Sequence, residues 1–348
     1  MEKLKIVFIS NHLYGGGSER VLITLANYFC DKYDVSIISF ENKKTYPISK
    51  NIKLFNVGQG NNLLIQAKRI RKLLTTLKPN VVISFEYFVN LCTVIASHGL
   101  DSRIIVSERN DPAIVGSGMI KDRLRNYLYS KVFKLVCQTN DAKEYFPEYI
   151  KEKTVVIMNP LKNGLPLPYV GIRNKEIVTF CRLNKQKNLQ LLIKSFGRFY
   201  EYFNDYKLTI YGDGPEKGDL IKLINLMNLN ECIKLVPNTK DVHSLILKSS
   251  MFVSSSDYEG LSNSMLESLA IGLPTICTDC PCGGARMVIE NNFNGLLVPT
   301  NDEVALFLAM KKIATNSEYA NVLSQNASQI KQKLSINKIA LQWERLFE

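Results

Sequence analysis

No apolar stretch among the 348 residues approaches the ~20 consecutive residues that a helix needs to cross a bilayer. The run Ile6-Val7-Phe8-Ile9 is too short for a signal-peptide core and reads as a buried strand, so the expectation is a cytoplasmic protein. A disulfide framework is also missing: the eight cysteines are scattered, mostly in apolar surroundings such as those of Cys137 and Cys181. Cys277, Cys280 and Cys282 cluster, but no histidine lies nearby to complete a tetrahedral zinc site, and no metal is expected. The chain has no internal repeat, no low-complexity tract, no G-x-G-x-x-G dinucleotide fingerprint and no nucleic-acid-binding motif.

What is present points to two ordinary α/β domains. At 46% hydrophobic residues the chain can build real cores. Short β-branched runs alternate with helical patterns through the first half: Lys5–Ser10, Asp34–Phe40, Ile52–Asn56, Val81–Ser84, Ile104–Ser107, Leu135–Cys137 and Val155–Ile157. Such alternation implies a parallel sheet wrapped by helices. From Asn159 to Asn174 the composition changes, with Pro160, Gly164, Pro166, Pro168 and Gly171 crowding together as in a linker. The alternation then restarts with Ile177–Phe180, Lys207–Tyr211, Ile233–Val236, Met251–Val253 and Pro274–Cys277. The expected division is a first domain over 1–162, a linker over 163–174, a second domain over 175–332, and a helix over 333–348 that packs back on the first domain.

The net charge of +12 is uneven, with 23 Lys and Arg against 14 Asp and Glu in residues 1–160 but 21 against 18 in 161–348. A basic first half calls for an anionic partner, either nucleic acid or an acidic leaflet. Leu63, Leu64, Ala67, Ile70, Leu74 and Leu77 recur at helical spacing beside Lys68, Arg69, Arg71 and Lys72. A second basic stretch, Lys121 to Lys134, carries Tyr127, Tyr129 and Phe133. Basic amphipathic helices of this kind dock on anionic membranes, although each apolar stripe is equally suited to packing on a sheet.

Four segments carry possible chemistry. Gly15-Gly16-Gly17-Ser18 leads from the first strand into a helix, where glycine lets a phosphate or sugar approach the helix N-terminus. Arg182 and Lys187 follow the first strand of the second half and supply a fork-shaped donor and a point charge suited to a diphosphate. Gly212-Asp213-Gly214-Pro215 ends the next strand in a tight turn that lines a base pocket or is simply a turn. In Glu259-Gly260-Leu261-Ser262-Asn263-Ser264-Met265-Leu266-Glu267 two carboxylates lie eight residues apart across a loop that enters a helix capped by Ser262. Two helical turns span about 12 Å, so such a pair addresses both ends of an extended molecule. A nucleotide sugar has that shape, with hydroxyls at both ends for carboxylates to accept from. The competing reading is a capping box of Ser264 and Glu267 with Glu259 a loop charge.

Taken in order, and with Asn294-Gly295-Leu296-Leu297-Val298, these pieces resemble the retaining glycosyltransferases of family 4 over nearly the whole chain. The resemblance implies the GT-B fold, in which two Rossmann-like doubly wound domains face each other across a cleft. It implies that Glu267 holds the ribose hydroxyls, Glu259 contacts the donor sugar, and Arg182 with Lys187 holds the diphosphate as it leaves. Amides around Leu261, Ser262 and Asn263 would support sugar and phosphate, and Gly16 and Gly17, with Gly212 and Gly214, would line the donor site. No cofactor or metal is then required, since the nucleotide sugar is a substrate. Many members carry a histidine after the fifth strand of the first domain, where this chain has Ser107-Glu108-Arg109-Asn110-Asp111-Pro112. Glu108, Arg109 or Asn110 takes over its positioning role. A common family glutamate is replaced by Met287, and His98 reads as a helix cap.

The Glu108–Pro112 and Thr278–Arg286 stretches resemble a bacterial subset that builds capsule, O-antigen or oligosaccharide units on a polyprenyl diphosphate. The expected partners are therefore a UDP-sugar donor, a lipid-linked saccharide acceptor and the anionic inner face of the plasma membrane, with no nucleic acid. A nucleotide-sugar epimerase or phosphorylase on the same fold, or a non-catalytic basic scaffold, are the alternatives.

Overall fold

The β-branched runs form strands, and the central ones are buried on both faces as parallel sheets require, whereas the edge strand over Lys53–Asn56 is largely exposed. The computed structural model describes residues 3–348, and these divide into two compact units. The first comprises residues up to Pro160 together with Leu334–Glu348, and the second Leu161–Lys333.

In the first unit, β1 (Lys5–Ser10), β2 (Asp34–Ser39), β3 (Lys53–Asn56), β4 (Val81–Phe85), β5 (Arg103–Ser107), β6 (Lys134–Cys137) and β7 (Thr154–Val156) form one parallel sheet ordered β3-β2-β1-β4-β5-β6-β7. Its helices include α1 (Gly17–Phe29), α2 (Leu63–Leu77), α3 (Tyr87–Ser97) and α4 (Met119–Tyr129). In the second unit, β8 (Asn174–Phe180), β9 (Lys207–Tyr211), β10 (Ile233–Val236), β11 (Ser249–Ser254), β12 (Thr275–Thr278) and β13 (Leu296–Val298) form a parallel sheet ordered β10-β9-β8-β11-β12-β13. Its helices include α5 (Leu189–Tyr200), the short α6 (Val242–Ile246) and α7 (Asn263–Ala270). The expected pair of Rossmann-like α/β sheets is what the chain forms. Only β13 has no counterpart among the expected strands; at three residues it has too little pattern to announce itself.

The proline- and glycine-rich segment before β8 is pinned to the second unit by Arg173. Its guanidinium donates to the carbonyls of Leu247 and Ser249, each at 3.1 Å, and of Gly272 at 2.7 Å. At the far end of the chain α8 (Ile336–Glu344) returns to the first unit and packs on α1. Trp343 is 1% exposed and lies 5.6 Å from the Phe85 ring; Glu344 pairs with Lys32 at 2.6 Å, and Arg103 donates to the Phe347 carbonyl.

The two basic helices differ from expectation in detail. On α2, Ala67, Ile70 and Leu74 are buried against the body of the unit but Leu64 is exposed, so the apolar stripe is narrower than its spacing suggests. On α4 the outward residues are Met119, Ile120 and Tyr127, with Ile120 82% exposed. Tyr129 does not belong to that face, because it is fully buried with its hydroxyl on Glu108, and Arg125 is buried on the carbonyls of Pro112 and Val115. Among the described residues no helix is long and apolar enough to cross a membrane.

Replacing Trp343 with alanine should cost about 3–5 kcal/mol by opening a cavity against Phe85. Urea unfolding followed by circular dichroism checks it, since the chain's single tryptophan is lost as a fluorescent probe.

Candidate functional site

In an open parallel sheet, ligands bind outside the carboxyl ends of the strands where the order reverses. In the second unit that point lies between β8 and β11. The loop after β8 carries Arg182 and Lys187, and the loop after β11 carries Glu259 and leads into α7.

The β8 loop is fixed by a close backbone approach. Cys181 and Leu183 donate their amides to the carbonyls of Tyr211 and Asp213, both at 3.0 Å, and Glu216 donates back to Leu183 at 3.0 Å. This approach requires glycine. A Cβ on Gly212 would fall 1.9 Å from the Cys181 carbonyl oxygen, and one on Gly214 would fall 2.2 Å from that of Leu183. Gly212 and Gly214 therefore hold the neighbouring loop, which accounts for them without a ligand. Arg182, between the two anchored residues, is exposed, and among the described residues no hydrogen bond or ion pair engages its guanidinium.

Lys187 ends a short 3₁₀ turn and forms an ion pair with Glu259, their side chains 13% and 17% exposed. Burial works against the lysine charge, but the adjacent Glu259 carboxylate outweighs it and holds the ammonium above its usual pKa. Ser256 donates to the other Glu259 oxygen at 2.9 Å, Gln186 to the Tyr258 carbonyl at 2.8 Å, and Ser255 to the Lys187 carbonyl at 2.9 Å. The two loops are thereby stitched into one surface. Beside it Ser254, Ser256, Glu259, Gly260, Ser262 and Cys280 line a pocket. Gly284 packs directly on the backbone of Gly260, since a Cβ there would lie 1.7 Å from the Gly260 carbonyl oxygen.

The eight-residue span between Glu259 and Glu267 is part loop and part helix, because α7 begins only at Asn263. Ser262 occupies the N-cap position, but its hydroxyl bonds no helix amide and lies 3.0 Å from that of Ser264. Leu261 and Ser262 are buried at this entry, with Asn263 half-buried. Glu267 does not form a capping box with Ser264. It is 3% exposed, and its Oε2 lies 2.7 Å from Nε2 of His243 on α6. The sequence offers no pattern for His243: it is a lone histidine on a five-residue helix.

In the first unit the order reverses between β1 and β4. Gly16 sits at the N-cap of α1, with its carbonyl accepting the Tyr46 hydroxyl at 2.9 Å, and Gly17 is the first helical residue. A Cβ on Gly16 would fall 1.8 Å from Glu19 Oε2, so glycine here makes room for a carboxyl group. Glu19 is 1% exposed and approaches His12 at 3.3 Å. The Ser18 hydroxyl lies 3.0 Å from Glu19 Oε2 and 2.6 Å from Oε1 of Glu86, the residue after β4, whose φ of 78° is unusual for a non-glycine. One serine proton cannot serve both carboxylates. Burial first, and the charge of Glu86 second, push the Glu19 pKa up to about 8, so Glu19 carries the second proton near neutral pH.

The three residues expected to replace the family histidine part company here. Glu108 is buried and accepts from Tyr129, with burial raising its pKa, so it faces the core. Arg109 is stacked 4.6 Å from the Phe85 ring centre and donates to Asn159; burial lowers its pKa to about 9 against the pull of Glu86. The Asn110 side chain accepts from the Asp111 amide at 2.9 Å. Glu19 and Glu86 are absent from the residues that the sequence singles out, and the only signal for Glu19 is its position three residues after Gly16.

Residues 172–330, nearly the whole second unit, match the family of glycosyl transferases group 1. At 27% identity, over 99% of the chain and 98% of the relative, the sequence is similar to the GalNAc-alpha-(1->4)-GalNAc-alpha-(1->3)-diNAcBac-PP-undecaprenol alpha-1,4-N-acetyl-D-galactosaminyltransferase of Campylobacter jejuni. The chain is a glycosyltransferase. A second relative from that organism, an N-acetylgalactosamine-N,N'-diacetylbacillosaminyl-diphospho-undecaprenol 4-alpha-N-acetylgalactosaminyltransferase, is 26% identical over 94% of both chains. The glycosyltransferase also shares its fold with Anabaena HepE, solved in complex with UDP and glucose, at a TM-score of 0.83 and 16% identity over 98% of both chains.

The Glu19 proton makes the glycosyltransferase's stability pH-dependent in a defined direction. The folded state keeps the proton up to about pH 8 whereas the unfolded chain releases it near 4.5, so the unfolded state binds fewer protons in between and stability falls as pH rises through that window. Glu19→Gln should flatten this slope, gaining on the wild type by on the order of a few kcal/mol between the two ends. Urea unfolding at a series of pH values measures it; identical slopes for the two proteins would refute the assignment.

Proposed function

We propose that this glycosyltransferase moves a hexose or N-acetylhexosamine from a UDP-sugar to a polyprenyl-diphosphate-linked saccharide, with retention of anomeric configuration, in the assembly of a cell-surface polysaccharide. The observation that carries the donor side is the arrangement at the β8–β11 switch point, where exposed Arg182 and the paired Lys187 and Glu259 share one surface. In this reading Arg182 and Lys187 meet the diphosphate, Glu259 accepts from donor-sugar hydroxyls while fixing Lys187, the α7 entry at Leu261, Ser262 and Asn263 supports sugar and phosphate, and Glu267 accepts from the ribose. Departure of UDP builds negative charge, and cations already in place stabilise it more in the transition state than in the ground state. That assignment gives the protein's own cations the role a metal plays elsewhere, so the proposal includes no cofactor.

The acceptor class is supported by the activities of the two Campylobacter relatives, both of which are named for undecaprenol-linked saccharides. The first unit is assigned the acceptor. Its α4, with Met119, Ile120 and Tyr127 outward beside Lys121 and Arg123, suits the anionic membrane surface on which such an acceptor resides. The protein is accordingly assigned to the inner face of the plasma membrane as a peripheral enzyme.

Thermal-shift titration with UDP-, GDP- and ADP-sugars tests the donor. A bound ligand at a hundredfold its Kd stabilises by about 2.7 kcal/mol, and only the UDP compounds should do so. UDP release should require a lipid-linked acceptor; release without one would favour nucleotide-sugar chemistry of another kind. Arg182→Ala should lower kcat by about two orders of magnitude, or about 3 kcal/mol, with little change in stability. Unaltered turnover would remove Arg182 from the reaction.

A further inference from the structure

The buried carboxyl of Glu267 has a partner from a separate element. α6 precedes β11 in the chain and α7 follows it, yet His243 Nε2 and Glu267 Oε2 meet at 2.7 Å, with side chains 7% and 4% exposed. A carboxylate this far from water is costly unless hydrogen-bonded. An ionised carboxylate, the form that can take hydroxyl protons from a ligand, only accepts, and with Glu267 in that form the hydrogen between them sits on Nε2. The imidazole is itself held in place: its ring meets the Phe180 ring edge-on, with centroids 5.6 Å apart and planes at 82°. Phe180 is the last residue of β8, immediately before the loop of Arg182.

This geometry does more than neutralise a buried group. A glutamate side chain has several rotatable bonds, and on α7 it could adopt other staggered conformers. A donor fixed on another helix selects one of them. An ionised carboxylate has about four acceptor positions over two oxygens, so a bond to His243 leaves capacity for hydroxyls of a ligand. A second-sphere donor that orients a ligand-binding group is a recurring device, best documented where carboxylates orient histidines on metals.

We propose that His243 is a positioning residue for nucleotide recognition: it fixes the Glu267 carboxylate in the conformer that accepts the ribose 2′- and 3′-hydroxyls. The proposal rests on the assignment of Glu267 to the ribose. His243 itself does not touch the nucleotide. Its contribution should therefore appear only when the nucleotide carries those hydroxyls, whereas a purely structural His243 would matter equally for any nucleotide.

The experiment compares Kd values for UDP and 2′,3′-dideoxy-UDP by calorimetry in the wild type and its variants. The wild type should prefer UDP, and Glu267→Ala should abolish that preference. His243→Phe keeps a ring against Phe180 but removes the donor; it should weaken UDP by about tenfold, the scale of one hydrogen bond to a charged group, and leave dideoxy-UDP unchanged. His243→Gln, whose terminal amide also donates to Glu267, should recover UDP binding to within about threefold. His243→Asn, too short to reach, gives the same reading as His243→Phe should the phenylalanine variant not fold. Equal weakening of both nucleotides, or a wild-type preference in His243→Phe, overturns the positioning role while Glu267→Ala still reports on the ribose. A preference retained by Glu267→Ala removes the ribose assignment itself, and the role of His243 with it.

Discussion

The ion pair between Lys187 and Glu259 is the interaction on which the second unit's site depends. It is the charged link between two loops that leave neighbouring strands, β8 and β11. At 13% and 17% exposure the pair is neither a solvated surface bridge, worth at most about 1 kcal/mol, nor fully enclosed. Taking away either member leaves the other charge partly desolvated, a cost that approaches about 3–5 kcal/mol as burial becomes complete. The bonds of Ser255 and Gln186 across the same seam, with Ser256 holding Glu259 within its own loop, make the attachment cooperative. Charge and geometry are therefore set by the same contacts: whatever orients the lysine also orients the glutamate.

The architecture is legible from sequence because strands buried on both faces announce themselves as β-branched runs, and their alternation with helices leaves little choice of topology. The candidate site is legible only where chemistry coincides with local pattern. Arg182, Lys187 and Glu259 stand in loops at the ends of recognisable strands, so their neighbourhood follows from the topology. His243 lies in the middle of a five-residue helix whose approach to α7 is a fact of tertiary packing. Tyr129 illustrates the opposite error. Beside Tyr127 it reads as one more aromatic on a basic helix, but the two are two residues apart and therefore on different faces, and one is buried while the other is exposed. The motif assigns Gly212 and Gly214 to ligand binding; the structure accounts for them by the approach of the Cys181–Leu183 backbone.

The first unit stores its unusual chemistry at the equivalent place in its own sheet. Glu19 and Glu86 follow β1 and β4 as the two loops of the second unit follow β8 and β11. The contents differ in sign: one switch point gathers cations and a paired acid, the other a carboxyl group that keeps its proton beside a second carboxylate. Gly16 serves the arrangement by absence of bulk, as Gly284 does against the Gly260 backbone.

The chain leaves the first unit after Pro160 and returns to it only at Leu334. During synthesis, the sheet that carries Phe85 therefore emerges long before Trp343, which covers it. Phe29 likewise waits for Phe347, whose ring finally sits 5.1 Å away. The second unit is contiguous in the chain, so all of it is synthesised before the segment that the first unit still awaits. Nascent chains thus carry an uncapped apolar surface while the whole second unit is being made, and emergence of the segment from Leu334 onward, rather than of the first sheet, is the event that closes the first core.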